Sequence, residues 1–299
     1  MSRIRKGDQI SHFIFGDLIA KGGYGRVYKC TIEGNPKNQY YAIKVVPNSG
    51  AKSLENEKNI LHEIKDDWPL FPEIVHHACC ASFYYIAMEY ISFSLDKIKI
   101  PDIRDLRLLK IYSVSLKTLE CIKSLHDHDI VHRDIKPANF LIRQNKSICL
   151  IDFGLSMHYK INGRHIDDGI GEVAGTPLYQ SARSHKGYIC SRRDDMESWI
   201  YSLLFLYKKG DPDIELWENL DESEMNHKKR PIAKQQLSKI PPFNDIFDKI
   251  CLLNFRTQPD YEDYKSRIID EILKMNYTLE QVLDLDLIES SDEGCCSVC

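Results

Sequence analysis

Residues 132–139 read His-Arg-Asp-Ile-Lys-Pro-Ala-Asn, and residues 151–154 read Ile-Asp-Phe-Gly. The first run sets a carboxylate (Asp134), an ammonium (Lys136) and a carboxamide oxygen (Asn139) close together, and the second adds another carboxylate, Asp152. Upstream, Tyr41-Ala42-Ile43-Lys44 places a lysine in an otherwise apolar strand pattern, where its ammonium must find anionic partners. Before that, Ile19-Ala20-Lys21-Gly22-Gly23-Tyr24-Gly25-Arg26-Val27 gathers glycines whose backbone N–H groups can approach an anion closely. A cradle for phosphates, a lysine to balance their charge, two oxygen ligands for a metal ion and a carboxylate able to take a hydroxyl proton are the parts of phosphoryl transfer. Each part alone has a plain reading: a hairpin turn for the glycines, a strand-end lysine for Lys44, a simple turn for Asp-Phe-Gly. The run 132–139 at its distance from Asp152 is the specific signal.

Elements must hold these groups in register. From Phe13 to Tyr41 apolar and polar residues alternate around glycines, which predicts antiparallel strands joined by tight turns. Residues 51–65 carry Leu54, Ile60, Leu61 and Ile64 at helical spacing and predict one amphipathic helix ending before Trp68-Pro69. Phe83 to Tyr90 returns to strand character, and Ser147 to Ile151 is a further strand leading into Asp152. After Ile91 the pattern turns helical, over 102–128, 195–208 and 242–255. The fold class expected is α+β with two lobes: a small antiparallel-sheet lobe with one helix (about 13–90) and a larger, mainly helical lobe (about 91–285).

The 299 residues, with 43% hydrophobic and 28% charged side chains, suit one two-lobed domain or two small ones and exclude disorder throughout. The net charge of -4 gives no reason to expect nucleic acid as a partner. No apolar run has the length of a signal-peptide core or a membrane span, so a cytoplasmic protein, with nuclear entry open to it, is expected. Seven of the ten cysteines (Cys30, Cys79, Cys80, Cys121, Cys149, Cys190, Cys251) are scattered and read as reduced, mostly buried residues.

On these four segments the chain resembles the protein kinases, and three stretches are similar to the casein kinase 1 group, which includes the tau-tubulin and vaccinia-related kinases. They are His132 to Leu141, Gly175 to Asp195 with its Ser-Arg-Arg-Asp-Asp, and Asn254 to Tyr264. The resemblance implies a serine/threonine kinase that moves the ATP γ-phosphate to protein hydroxyls, with Mg²⁺ or, in its place, Mn²⁺. Asp134 is then the base, Asn139 and Asp152 hold the metal, Lys136 meets the γ-phosphate, and Lys44 meets the α- and β-phosphates. The partner of Lys44 is expected to be Glu57, with Glu55 as the second choice, and Phe153 is expected beneath the helix that carries them. Around the nucleotide the resemblance implies Ile19 to Val27 as the phosphate loop, Ala42, Met88 and Leu141 about the adenine, and hinge bonds from the Glu89 carbonyl and Ile91 N–H. Asp195 is expected to hold the backbone of the catalytic loop, and Thr176 to contact Asp134.

The chain departs from the group at two places. Ala20 stands where the first glycine of the phosphate loop is usual, and Leu178 stands where casein kinase 1 proper has an arginine that binds a phosphate already on the substrate. Between Asp152 and Thr176 the hydroxyls are Ser156, Tyr159 and Thr176, and activity without phosphorylation of this segment is expected. The acidic end, 286–299, predicts a mobile tail; Cys296-Ser297-Val298-Cys299 has a prenylation-like form with Cys295 placed to take palmitate, which would give a membrane-associated fraction, the alternatives being an unmodified tail or metal or disulfide chemistry of the Cys-x-x-Cys spacing, and a monomer is expected. The competing readings are a kinase-shaped scaffold without catalysis, which should have lost one of Lys44, Asp134, Asn139 or Asp152, and a small-molecule phosphotransferase of similar fold.

Overall fold

Alternation of buried and exposed side chains along the first ninety residues produces strands β1 (Gln9–Ile10), β2 (Phe13–Lys21), β3 (Arg26–Ile32) and β4 (Tyr41–Pro47), then helix α1 (Ala51–Glu63), then β5 (Ile74–Cys79) and β6 (Phe83–Glu89). The structure, a computed structural model, describes residues 4–22, 25–34, 39–80 and 82–288. The six strands form one antiparallel sheet in the order β1-β2-β3-β4-β6-β5. On one face Phe13, Phe15, Tyr28, Tyr41, Ile43, Val45 and Tyr85 make a closed apolar cluster. Burying a side chain such as Ile43 or Val45 stabilises the lobe by about 1.5–3 kcal/mol.

The other face positions the chemistry. Lys44 lies opposite Val27 on β3 and Ile86 on β6, and Ala42 lies opposite Met88, so these side chains share one surface of the sheet. Val46 and Ile86 on that surface pack with Leu54 of α1. Helix α1 runs two residues shorter than its spacing predicts, and residues 65–67 form a separate 3₁₀ turn.

The second lobe follows β7 (Phe93–Ser94) with α2 (Arg104–Asp127), β8 (Ile130–Val131), β9 (Phe140–Ile142), β10 (Ile148–Leu150) and β11 (Met157–His158). Five helices stand out after them: α3 (Ala182–His185), α4 (Arg192–Lys208), α5 (Glu222–Leu237), α6 (Phe243–Leu252) and α7 (Tyr261–Lys274), with the short α8 (Leu279–Leu283) last. Helices α2 and α4 are buried on nearly every side and form the centre of this lobe. Residues 132–139 span from β8 to β9, and Asp152 follows β10, so two short antiparallel ladders, β10-β9-β7 and β11-β8, fix the ends of both catalytic segments.

The packed chain reaches Leu287, which is buried. Tail residues 289–299, with Cys295, Cys296 and Cys299, lie outside the described residues, as do Gly23 and Tyr24 of the phosphate loop. The seven other cysteines are free thiols, and Cys30, Cys121, Cys149 and Cys190 are buried. Among the described residues no helix is long and apolar enough to cross a membrane.

Candidate functional site

Lys44 leaves the middle of β4 on the face that meets α1, and its Nζ donates to Glu57 Oε2 at 2.7 Å and to Asp152 Oδ1 at 2.6 Å. Glu57 is 1% exposed, whereas Glu55 points outward and pairs with Lys58, so the choice between the two glutamates falls to Glu57. Burial works against the charged Lys44, but Glu57 and Asp152 outweigh it and hold its pKa above the usual lysine value. Burial pushes the Glu57 carboxyl up, with Lys44 opposing it, while Asp152 overcomes its own burial through Lys44 and stays below the usual carboxylate range.

The helix is tied to the Asp-Phe-Gly turn by more than this ion pair. Asn56 Nδ2 donates to the carbonyls of Phe153 (3.2 Å) and Ser156 (2.9 Å), and Ser53 Oγ donates to the Gly154 carbonyl (3.2 Å). Phe153 is fully buried, edge-on to Phe71 at 5.7 Å and to His132 at 5.3 Å. A Cβ on residue 154 would stand 2.6 Å from Ser53 Oγ and would displace the hydroxyl that bonds the Gly154 carbonyl.

Asp134 is the hub of the second half. Its Oδ1 accepts from the Thr176 N–H and from Thr176 Oγ1, both at 2.8 Å. Its Oδ2 accepts from Lys136 Nζ at 2.7 Å and from Asn139 Nδ2 at 3.3 Å, and Lys136 also donates to Thr176 Oγ1 at 2.7 Å. Gly175 lets Thr176 come this close: it has φ +102°, and a Cβ there would meet the Arg133 carbonyl at 2.6 Å. Arg133 itself has φ 71°, a left-handed backbone that non-glycine residues adopt at a cost. Asp195 of α4 holds it there, with Oδ2 accepting from the His132 N–H (2.7 Å) and Oδ1 from the Arg133 N–H (2.9 Å). Asp195 is fully buried, yet the hydrogen bond from His126 and the neighbouring histidines keep its carboxyl below the usual range.

The chain matches the protein kinase domain over residues 13–276. It belongs to the protein kinases. Its similarity to casein kinase I proteins runs the length of that domain. The probable casein kinase I homolog of Encephalitozoon cuniculi is 30% identical over 276 residues, covering 88% of this chain and 85% of that protein. Casein kinase I homolog 2 of Schizosaccharomyces pombe is 26% identical over 291 residues (89% and 63%), and casein kinase I homolog 1 of Saccharomyces cerevisiae is 26% identical over 292 (91% and 53%). The chain is therefore a casein kinase I-like serine/threonine kinase, an enzyme that uses ATP and a divalent metal ion and acts on proteins.

In this kinase the residues expected around the nucleotide, Leu141 apart, fall on the small-lobe side of the cleft. Ala20 pairs with Val27, Val27 with Lys44, and Ala42 with Met88, so the phosphate-loop strands, the lysine and the residue behind the adenine position share a surface. The Gly22 N–H donates to the Gly25 carbonyl at 2.9 Å, closing the β2–β3 hairpin, while Ile19 and Lys21 are exposed at its rim and Arg26 sits at the base. Gly25 is needed for packing as well, because a Cβ there would lie 2.5 Å from the Val45 carbonyl oxygen. Leu141, on β9, is partly buried on the opposite lobe. The Ile91 N–H makes no hydrogen bond among the described residues, which suits a hinge donor.

The donor set also fits a hard cation. Asn139 donates its amide to the Asp134 carbonyl at 2.8 Å, which leaves Oδ1 without a partner among the described residues, and Asp152 is half-buried with its carboxylate in the cleft. Among the described residues there is no cluster of three or more His, Cys, Asp or Glu side chains able to hold a metal alone. Two oxygen ligands are what a Mg²⁺ ion shared with nucleotide phosphates requires.

Sequence reasoning missed Arg143 and His126. Arg143 Nε donates to Glu89 Oε2 at 3.2 Å, and its Nη2 to the Phe71 carbonyl at 3.3 Å, which ties the β9–β10 turn to the hinge. His126 Nε2 meets Asp195 Oδ2 at 3.0 Å and its Nδ1 meets Tyr261 OH at 2.6 Å, linking α2, α4 and α7 behind the catalytic loop. Nothing in local pattern marks Arg143; His126 sits in the last turn of a long helix, where a histidine is ordinary.

Proposed function

We propose that this kinase transfers the γ-phosphate of Mg²⁺·ATP to serine and threonine hydroxyls while its activation segment carries no phosphate. The observation that carries the reading is the state of Arg133: its guanidinium donates to the carbonyls of Leu155 (3.1 Å) and Glu172 (3.2 Å), so backbone oxygens take the place a phosphate would fill. Ser156 and Tyr159 are buried, with Ser156 Oγ donating to the His132 carbonyl (3.3 Å) and Tyr159 OH to the His126 carbonyl (2.7 Å). A modifying enzyme could reach neither hydroxyl without opening the segment.

In this mechanism Asp134 takes the proton of the acceptor hydroxyl, oriented by Thr176 on one oxygen and by Lys136 and Asn139 on the other. Lys44, locked between Glu57 and Asp152, supplies a fixed positive charge for the phosphates. Lys136 is placed to follow the phosphoryl group as charge moves toward the acceptor. Asp152 and Asn139 would hold Mg²⁺, which when bound neutralises charge on the phosphates.

The proposal is tested by the Ser156→Ala, Tyr159→Phe double variant, purified after phosphatase treatment. Its transfer of labelled γ-phosphate to casein should match untreated wild type within twofold; activity that appears only after phosphorylation of the segment would overturn it. We further propose, on the sequence of the tail alone, a cytoplasmic monomer of which a fraction is held at membranes by lipids on Cys295 and Cys296. A membrane fraction that persists after both become Ser would refute the lipid anchor.

A further inference from the structure

Lys229, in the middle of α5, is 0% exposed, and among the described residues no carboxylate lies within ion-pair distance of it. The nearest acid, Glu197 of α4, is taken by Arg230, whose Nε and Nη2 donate to it at 3.0 and 2.7 Å. The Lys229 ammonium donates instead to the backbone carbonyls of Pro177 and of Gln180 (3.1 Å) and meets His185 Nε2 at 2.7 Å. Two of its N–H groups therefore meet carbonyls, while His185 Nε2 donates to the same Pro177 carbonyl at 2.8 Å, and the rings of Tyr201 and Trp217 stand 5.5 and 5.7 Å from the ammonium. Trp217 adds a donor of its own, from Nε1 to the Leu178 carbonyl at 2.8 Å.

All of these carbonyls belong to residues 177–180, the stretch that begins directly after Thr176. Thr176 is bonded to the Asp134 carboxylate, so residues 177–180 leave the site at the position of the acceptor hydroxyl. Burying a lysine without a carboxylate is expensive, and an apolar side chain of similar length would pack at lower cost. Stability alone gives no reason for a lysine here; the two backbone carbonyls it fixes from beneath do.

We infer that Lys229 is a positioning residue for substrate: with Trp217 it clamps residues 177–180 into the shelf on which the peptide beside the acceptor hydroxyl is read. The inference rests on the kinase reading and names the part of that site which acts on the protein substrate rather than on ATP. It also makes peptide recognition depend on pH. Burial, outweighing the attraction of Glu197, brings the Lys229 pKa down to about 7, and burial together with Lys229 lowers that of His185. The charged groups facing the pair are Glu197 and Arg230 on α4 and α5, and Glu222, which acts on His185. As pH rises through this range Lys229 becomes a neutral amine, its bonds to the Pro177 and Gln180 carbonyls lose their charge assistance, and the shelf loosens.

The sign separates this from unfolding. A lysine whose folded pKa lies below its unfolded value makes the unfolded chain the stronger proton binder between about pH 7 and 10, so this group adds stability as pH rises. Peptide binding weakens over the start of the same range.

The test is steady-state kinetics between pH 6 and 8 on wild type and Lys229→Met, using an acceptor peptide with no group titrating in that range and measuring ATP hydrolysis without peptide in parallel. Wild-type KM for peptide should rise about five- to tenfold from pH 6 to 8, with KM for ATP and the hydrolysis rate steady. Lys229→Met should show the raised peptide KM at every pH, with ATP binding unchanged. A flat wild-type peptide KM overturns the inference whether or not the variant folds, as does a variant with wild-type peptide KM or one that loses peptide and ATP binding together. Failure of the kinase reading would look different: a folded wild type that turns over no ATP at any pH.

Discussion

Lys44 carries two opposed carboxylates, and its removal has consequences that can be signed. Glu57 is buried and already pushed upward; without Lys44 only the backbone N–H of Phe153 offsets that push, and Asp152 adds to it. In Lys44→Met, Glu57 should bind a proton in the folded state at pH values where the unfolded chain has released it. A raised carboxyl pKa means stability that is full below the unfolded value, about pH 4.3, and lost as pH rises through the folded one. The variant should therefore fall further behind wild type in unfolding free energy from about pH 5 to 8, reaching about 3 kcal/mol, and Lys44→Met, Glu57→Gln should recover most of that loss. Both should transfer phosphate at least roughly 100-fold more slowly. Equal pH dependence of Lys44→Met and wild type would contradict this picture. At this scale the sequence was readable where spacing carries chemistry: Asp134, Asn139, Lys136, Asp152 and Thr176 converge. It ranked Glu57 ahead of Glu55 as the partner of Lys44, and the rotation of α1 turns Glu57 toward Lys44 and Glu55 toward Lys58.

At the scale of elements, periodicity exposed what burial drives. Helix α2 and the strands from β2 to β4 and β6 were legible because their apolar positions must repeat to reach a core. Strand β5, Ile-Val-His-His-Ala-Cys, was not: it is an edge strand with no fully buried residue, so selection for a core leaves no mark on it. Helix α5 was hidden for another reason. It carries Pro231 inside, few apolar residues, and a lysine at one of its most buried positions, a pattern that reads as surface loop until the carbonyls of residues 177–180 are seen above it. The tie between α1 and the Asp-Phe-Gly turn was half legible: Phe153 was expected beneath the helix, whereas Asn56 and Ser53 look like ordinary exposed helix residues until the turn is placed against them.

The whole molecule joins two catalytic halves that sit on different lobes. The small lobe holds Lys44 and Glu57; the large lobe holds Asp134, Lys136, Asn139 and, after β10, Asp152. Lys44 to Asp152 bridges the lobes inside the cleft, and Arg143 to Glu89 bridges them at the hinge. Both bridges are formed, so the arrangement described is one in which phosphates and acceptor would be held together. Two lobes were readable from the change of pattern after Ile91, but the bridges were not, because they join residues 108 and 54 positions apart. The most direct measurement is single-turnover transfer of labelled γ-phosphate from Mg²⁺·ATP to casein by phosphatase-treated protein, wild type against Asp134→Asn, with ATP binding followed in both. The wild type should transfer, and the variant should bind ATP equally well yet transfer on the order of 1000-fold more slowly. A wild type that binds ATP without transferring it, or a variant as fast as wild type, would contradict the assignment of Asp134 as the base of a working kinase.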